Sequence, residues 1–143
     1  MALVGTSLIK RWASVIWLQS IEEKPHELMV MSMVRAHMCH QLATSMGCKN
    51  VDQFFTVGLM SFLDALLDRS MSTVLKDLPL VDPVKDALLH RTGILGSALK
   101  CVEYYELCDW ENTTCGDLDE KKIREAYLNA IAWSRAVMNE LVN

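Results

Sequence analysis

The sequence predicts an all-α fold, a compact multi-helix bundle built as one domain over residues 1–143, and three features of the pattern carry that expectation. Apolar residues recur at spacings of three and four along nearly the whole chain, as one face of a helix requires. No stretch alternates apolar and polar residues convincingly, and no β-branched run is bounded by turns as a strand would be. Prolines, glycines and capping residues fall between the periodic segments, where helices start and stop.

Thr6 and Ser7 cap a first predicted helix over about 7–21, with Leu8, Ile9, Trp12, Val15, Ile16 and Leu18 on a broad apolar face. Glu22 to Pro25 break it, because a proline keeps its predecessor out of helical geometry and suits a helix's first turn. A second, long helix runs from there through Leu28, Met31, Val34, Met38, Leu42 and Met46 and stops at Gly47, a residue that readily turns left-handed. Asn50 and Asp52 cap a third through Phe54, Phe55, Val57, Leu59, Phe62, Leu63, Leu66 and Leu67, apolar on almost every side and therefore expected at the centre.

Asp68, Arg69 and Ser70 separate this from a short helix of Met71 to Leu78 that Pro79 ends, and Asp82-Pro83 opens another through Leu89. Thr92 and Gly93 divide that from a helix of Ile94 to about Trp110. Glu111 to Asp117, rich in Asn, Thr, Gly and Asp, reads as an exposed loop. Asp119 caps a last helix carrying Ile123, Ala126, Tyr127, Ala130, Ile131, Trp133 and Val137. Helix lengths vary and no fixed period repeats, so a solenoid is not expected.

Composition narrows the function. With 51% hydrophobic and 22% charged residues, 3 prolines and 6 glycines, the chain has the apolar content for a packed core. The formal charge of −4 is spread along it, without the Lys/Arg run that would neutralise several phosphates, so nucleic acid is not an expected partner. Charged residues interrupt every apolar stretch before it reaches a membrane-spanning length of about eighteen. Lys10 and Arg11 sit where the apolar centre of a signal peptide belongs, so a cytoplasmic protein is expected. The 5 cysteines, Cys39, Cys48, Cys101, Cys108 and Cys115, fit reduced thiols in helical segments, and the 9 methionines a soft, adaptable interior.

Each candidate site meets a plainer reading. His37-Met38-Cys39-His40 offers metal-binding side chains, and positions three apart share a helical face, but that supplies two ligands and leaves Cys39 roughly a hundred degrees or more away. Two histidines on a polar face beside a buried cysteine is the favoured reading. The adjacent His-Asp pair of helical metal phosphohydrolases does not occur: His26 precedes Glu27, His37 Met38, His40 Gln41 and His90 Arg91. Asp64, inside the apolar tract Phe62 to Leu67, needs a partner if buried, either a helix end or an arginine such as Arg35, while Asp68 is expected in solvent.

Gly93-Ile94-Leu95-Gly96 places two glycines at a helix start, yet it lacks the Lys and Ser/Thr of a phosphate loop, so a turn and close packing explain it better. Ser14, Ser32 and Ser61 lie in no glycine-flanked nucleophile elbow. Among Trp12, Trp17, Tyr104, Tyr105, Trp110 and Trp133, helical spacing assigns most to the core, and any exposed remainder would suit an interface. No catalytic, metal-binding or cofactor-binding residue is assigned.

Phe55 to Leu67 (FTVGLMSFLDALL) and Asp77-Leu78-Pro79-Leu80 resemble the HDOD domain, especially the version that follows an EAL domain in bacterial signalling proteins. Arg35-Ala36 with Cys39 and Leu42-Ala43 is similar to that family's preceding helix. Val102-Glu103, Tyr105-Glu106 and Asp109-Trp110 are similar to a later helix, and Tyr127, Ala130, Ala132 and Trp133 to its last. The resemblance implies a fold similar to the helical HD phosphohydrolases without their metal set, and hence a regulatory, non-catalytic module that works through protein contacts; apolar surface that the family's first helices would cover makes a homodimer the expected form of self-association. The resemblance begins at Leu8 to Trp12, so the family's first helices are expected to be missing and the chain to be a C-terminal portion of a larger protein. If an EAL domain lies upstream, cyclic di-GMP chemistry is expected to belong to it. The competing expectation is a divergent metal-dependent HD-type phosphohydrolase using His37, His40 and carboxylates gathered by the fold.

Overall fold

The computed structural model describes residues 26–142, and their side chains as far as residue 140. The helix expected over 7–21, with Trp12, Ser14 and Trp17, lies outside the described residues. Within them the fold is all-α, and no strand occurs. The helices are α1 (His26–Ser45), α2 (Val51–Met60), α3 (Leu63–Leu67), α4 (Met71–Lys76), α5 (Asp82–His90), α6 (Gly93–Glu106) and α7 (Glu120–Val142).

α1 is the centre of the bundle, the position that the sequence pattern assigns to residues 54–67. It packs most extensively against α2 and α7 and also touches α6. Met33, Ala36, Met38, Cys39, Leu42 and Ala43 are all buried, and so is Arg35, so most sides of α1 face protein. Small side chains make this possible. A Cβ placed on Gly58 would lie 2.5 Å from the Arg35 carbonyl oxygen and 2.7 Å from Ala36 Cα, so α2 crosses α1 backbone against backbone. Gly47 stops α1 as expected. At φ +76° it lets its own amide bond to Thr44 O and that of Cys48 to Ala43 O, the paired bonds of a Schellman end.

The single helix expected from Asp52 to Leu67 is two helices. Ser61 donates its hydroxyl to Gly58 O at 2.7 Å, and its amide also turns back to Gly58 O, the tighter three-residue spacing that ends α2. Phe62, at φ −108° and ψ 10°, then leads into α3. α3 ends at Asp68, left-handed at φ 53°, and Ser70 caps α4 by accepting from the Thr73 amide. α4 ends at Lys76, two residues before the expected stop.

α6 ends at Glu106, four residues before Trp110. Cys108 is left-handed at φ 59°, its amide bonds to Tyr105 O and that of Asp109 to Tyr104 O, which closes a Schellman motif without glycine. The connection that follows is longer than expected, Leu107 to Asp119. Asp119 Oδ1 accepts from the Lys122 amide at 2.8 Å and starts α7, as its sequence position predicts. α7 buries Ile123, Ala126, Ala130, Ser134, Val137 and Met138, a spacing of three and four that lays one face along α1.

Candidate functional site

The most polar interior feature is a chain of charges that joins α1 to α6. Arg35, 8% exposed, directs Nε to both oxygens of Glu106 at 3.1 and 3.0 Å and Nη2 to Oε1 at 2.7 Å, a forked pairing of the strong kind. Its Nη1 donates to Ser61 Oγ at 3.0 Å and lies 3.8 Å from Glu103, and its guanidinium covers the Phe62 ring at 3.8 Å. Glu103 in turn accepts from Arg91 Nε at 2.7 Å and Nη2 at 3.2 Å. Arg91 also holds the last carbonyls of α5 through Ala87 O and Leu88 O. The ionic groups therefore satisfy one another. Ser61, hydrogen-bonded as both donor and acceptor, is a structural linker in this arrangement.

The sequence marks Arg35 as a possible partner for Asp64, and the structure sends it elsewhere. Asp64 is half-buried and accepts from the Ala65 amide at 2.9 Å, inside its own helix, while the carboxylates that meet Arg35 come from one face of α6. Glu103 and Glu106 are three apart in a helix, a spacing that puts both on the same side. That spacing was legible, but nothing local says that the side faces Arg35.

His37 and His40 are not on a polar face. His37 stacks on Trp133 with centroids 4.6 Å apart and planes at 13°, and on His40 at 6.0 Å and 18°; Phe55 meets His40 and Trp133 edge-on. Burial, then the neighbouring His40, lowers the His37 pKa to about 4. Burial also lowers His40, against a smaller upward pull from Asp52, and its buried Nδ1 has no hydrogen-bond partner among the described residues. These rings are a layer where α1, α2 and α7 meet. Among the described residues no group of three or more His, Cys, Asp or Glu side chains is arranged to hold a metal ion.

The five cysteines are free thiols. Cys39 is fully buried, and desolvation raises its pKa. Cys101 and Cys115 pair as donor and acceptor, which raises the first and lowers the second, and Cys115 lies 3.5 Å from the Met46 sulfur. Ser32 is buried and donates to Leu28 O. Gly93 turns left-handed at φ +74°, and a Cβ on Gly96 would fall 2.5 Å from Arg91 O, so the two glycines serve the turn between α5 and α6. A surface groove of about 390 Å³ beside them is bordered by Gln53, Asp86 and Ile94.

A second groove, about 420 Å³, opens between the end of α6 and the first turns of α7, lined by Tyr105, Trp110, Thr113, Glu120, Ile123 and Arg124. Tyr105 stands between Trp110 at 5.1 Å, edge-on, and Tyr127 at 4.8 Å. Burial, then Tyr127, raises the Tyr105 pKa, and the positive charge of Arg124 opposes this. Trp110 is 56% exposed, the aromatic that sequence spacing alone did not single out. No helix among the described residues is long and apolar enough to cross a membrane.

No family model matches the chain. It is similar to the cyclic di-GMP phosphodiesterase CdgJ of Vibrio cholerae, at 38% identity over 125 residues that make up 84% of this chain and 29% of that protein. It is also similar to the uncharacterized protein YuxH of Bacillus subtilis, at 30% identity over 145 residues, 96% of this chain and 35% of that one. The chain thus spans about a third of the length of these curated relatives. No solved structure matches.

Proposed function

We propose that this chain is a non-catalytic regulatory module of bacterial cyclic di-GMP signalling, of the HDOD type, which acts in the cytoplasm by contact with another protein domain or a second copy of itself. The observation that carries the reading is the match to CdgJ, which covers most of this chain and leaves about seven-tenths of the phosphodiesterase outside it. Two features support a regulatory role. The interior arginine and its carboxylates are engaged with one another, and large apolar side chains, Ile94, Leu107, Trp110 and Leu128, stand open to a partner. The module requires no cofactor.

The test is a chimera in which this chain replaces the matched segment of CdgJ, assayed for cyclic di-GMP hydrolysis beside the intact enzyme and a version with the segment deleted. The expected result is that deletion alters turnover, the chimera restores it, and the isolated chain with Mg²⁺ or Mn²⁺ hydrolyses nothing. Metal-dependent hydrolysis by the isolated chain, lost in His37→Ala/His40→Ala, would instead make it a phosphohydrolase.

A further inference from the structure

The groove between α6 and α7 combines three elements. Trp110 offers an indole that is more than half open, held in place from behind. Its loop is fixed by the Schellman bonds at Cys108 and Asp109, by Thr113 Oγ1 donating to Asp109 O at 2.7 Å and by Thr113 N donating to Trp110 O. Glu120 and Arg124 both line the same groove, one helical turn apart on α7, and are exposed. In that order and spacing an acidic and a basic side chain ordinarily pair on a helix. Among the described residues neither makes an ion pair, and both side chains are exposed at the groove.

A carboxylate beside a guanidinium, about one turn apart, matches an edge that presents two acceptors followed by two donors. Guanine has that edge: N7 and O6 accept, and N1–H and the 2-amino group donate. Arginine takes the first pair in a forked contact, the commonest specific reading of guanine, and a carboxylate takes the second. Adenine breaks the match with an amino donor where O6 stands in guanine. An open indole supplies the stacking surface that a base needs, and the groove's volume falls within the range of small-ligand sites.

We propose that this groove binds the guanine base of a nucleotide, with the base stacked on Trp110, its N7/O6 side on Arg124 and its N1/2-amino side on Glu120. The proposal deepens the regulatory reading and rests on it for taking a signalling nucleotide, rather than nucleic acid, as the carrier of the base.

Calorimetric titration of the full chain with cyclic di-GMP and with GMP, against cyclic di-AMP and AMP, tests it. Saturable binding of a guanine nucleotide is expected, with the adenine counterparts about tenfold weaker or more. Trp110→Ala and Arg124→Ala each weaken binding about tenfold, and Glu120→Gln reduces the preference for guanine. These side chains are exposed, and unchanged circular dichroism verifies that the variants fold. Tighter binding of cyclic di-GMP than of GMP identifies the dinucleotide as the source, and equal binding a mononucleotide. Failure of both guanine nucleotides to bind, equal binding of the adenine forms, or affinity indifferent to Arg124→Ala overturns the site. The chimera assay does not depend on this result, so loss of the site and loss of the regulatory reading are separately visible.

Discussion

Replacing Glu106 with alanine tests how the interior charges hold the bundle. The change strips three N–H···O contacts from Arg35, whose side chain is 10% exposed, and leaves Glu103, at 3.8 Å, as its nearest counter-charge. Removing one member of a buried pair costs about 3–5 kcal/mol, because the remaining charge stays desolvated without its partner. Glu106 is 18% exposed and Glu103 offers partial compensation, so the loss is set at about 3 kcal/mol, or roughly 10 °C in melting temperature for a chain of this size. Urea unfolding followed by circular dichroism measures it. The companion Arg35→Met/Glu106→Leu removes both charges and fills the space with apolar atoms. Ser61 keeps its bond to Gly58 O, and Glu103 keeps Arg91, so the double variant is expected within about 1 kcal/mol of the parent. A loss below about 1 kcal/mol for Glu106→Ala would place the pair with weak surface bridges, and a double variant less stable than the single one would refute the desolvation argument.

Other changes probe different parts of the fold. Gly58→Ala sets a Cβ 2.5 Å from the Arg35 carbonyl, so α1 and α2 must separate; a loss of about 1–3 kcal/mol in urea unfolding is expected, although alanine is the better helix former. His37, at about 4 in the folded protein against 6.5 unperturbed, takes up its proton in the unfolded chain first. The His37 contribution to stability therefore falls as pH drops from about 6.5 toward 4 and is constant below, a slope that His37→Phe, which keeps a ring against Trp133, should reduce in unfolding measured across that window.

Much of the fold was legible because its punctuation is local. Gly47 and Asp119 act on their own helix ends, and the apolar periods of α1, α6 and α7 can be read from sequence alone. The break at Ser61 was not legible, since it depends on a hydroxyl bonded both to Gly58 O and to Arg35 from another helix. The central position of α1 followed from a similar non-local cause. Residues 54–67 are the more apolar on paper, but α1 is the helix that packs on α2, α6 and α7 together, and its close backbone contact with α2 at Gly58 is not written in either helix alone. The groove at Trp110 escaped because its two walls are joined only when α6 ends early at Glu106 and the chain doubles back to α7.

At Arg91 the backbone takes φ 57°, a conformation that costs an ordinary side chain about 1–2 kcal/mol and glycine almost nothing. Glycine there would relieve the peptide and lose the guanidinium that clasps both the end of one helix and a carboxylate of the next. Holding arginine in this cramped posture makes the corner between α5 and α6 a stapled joint, so the two helices should swing together as one arm rather than flex at their shared turn.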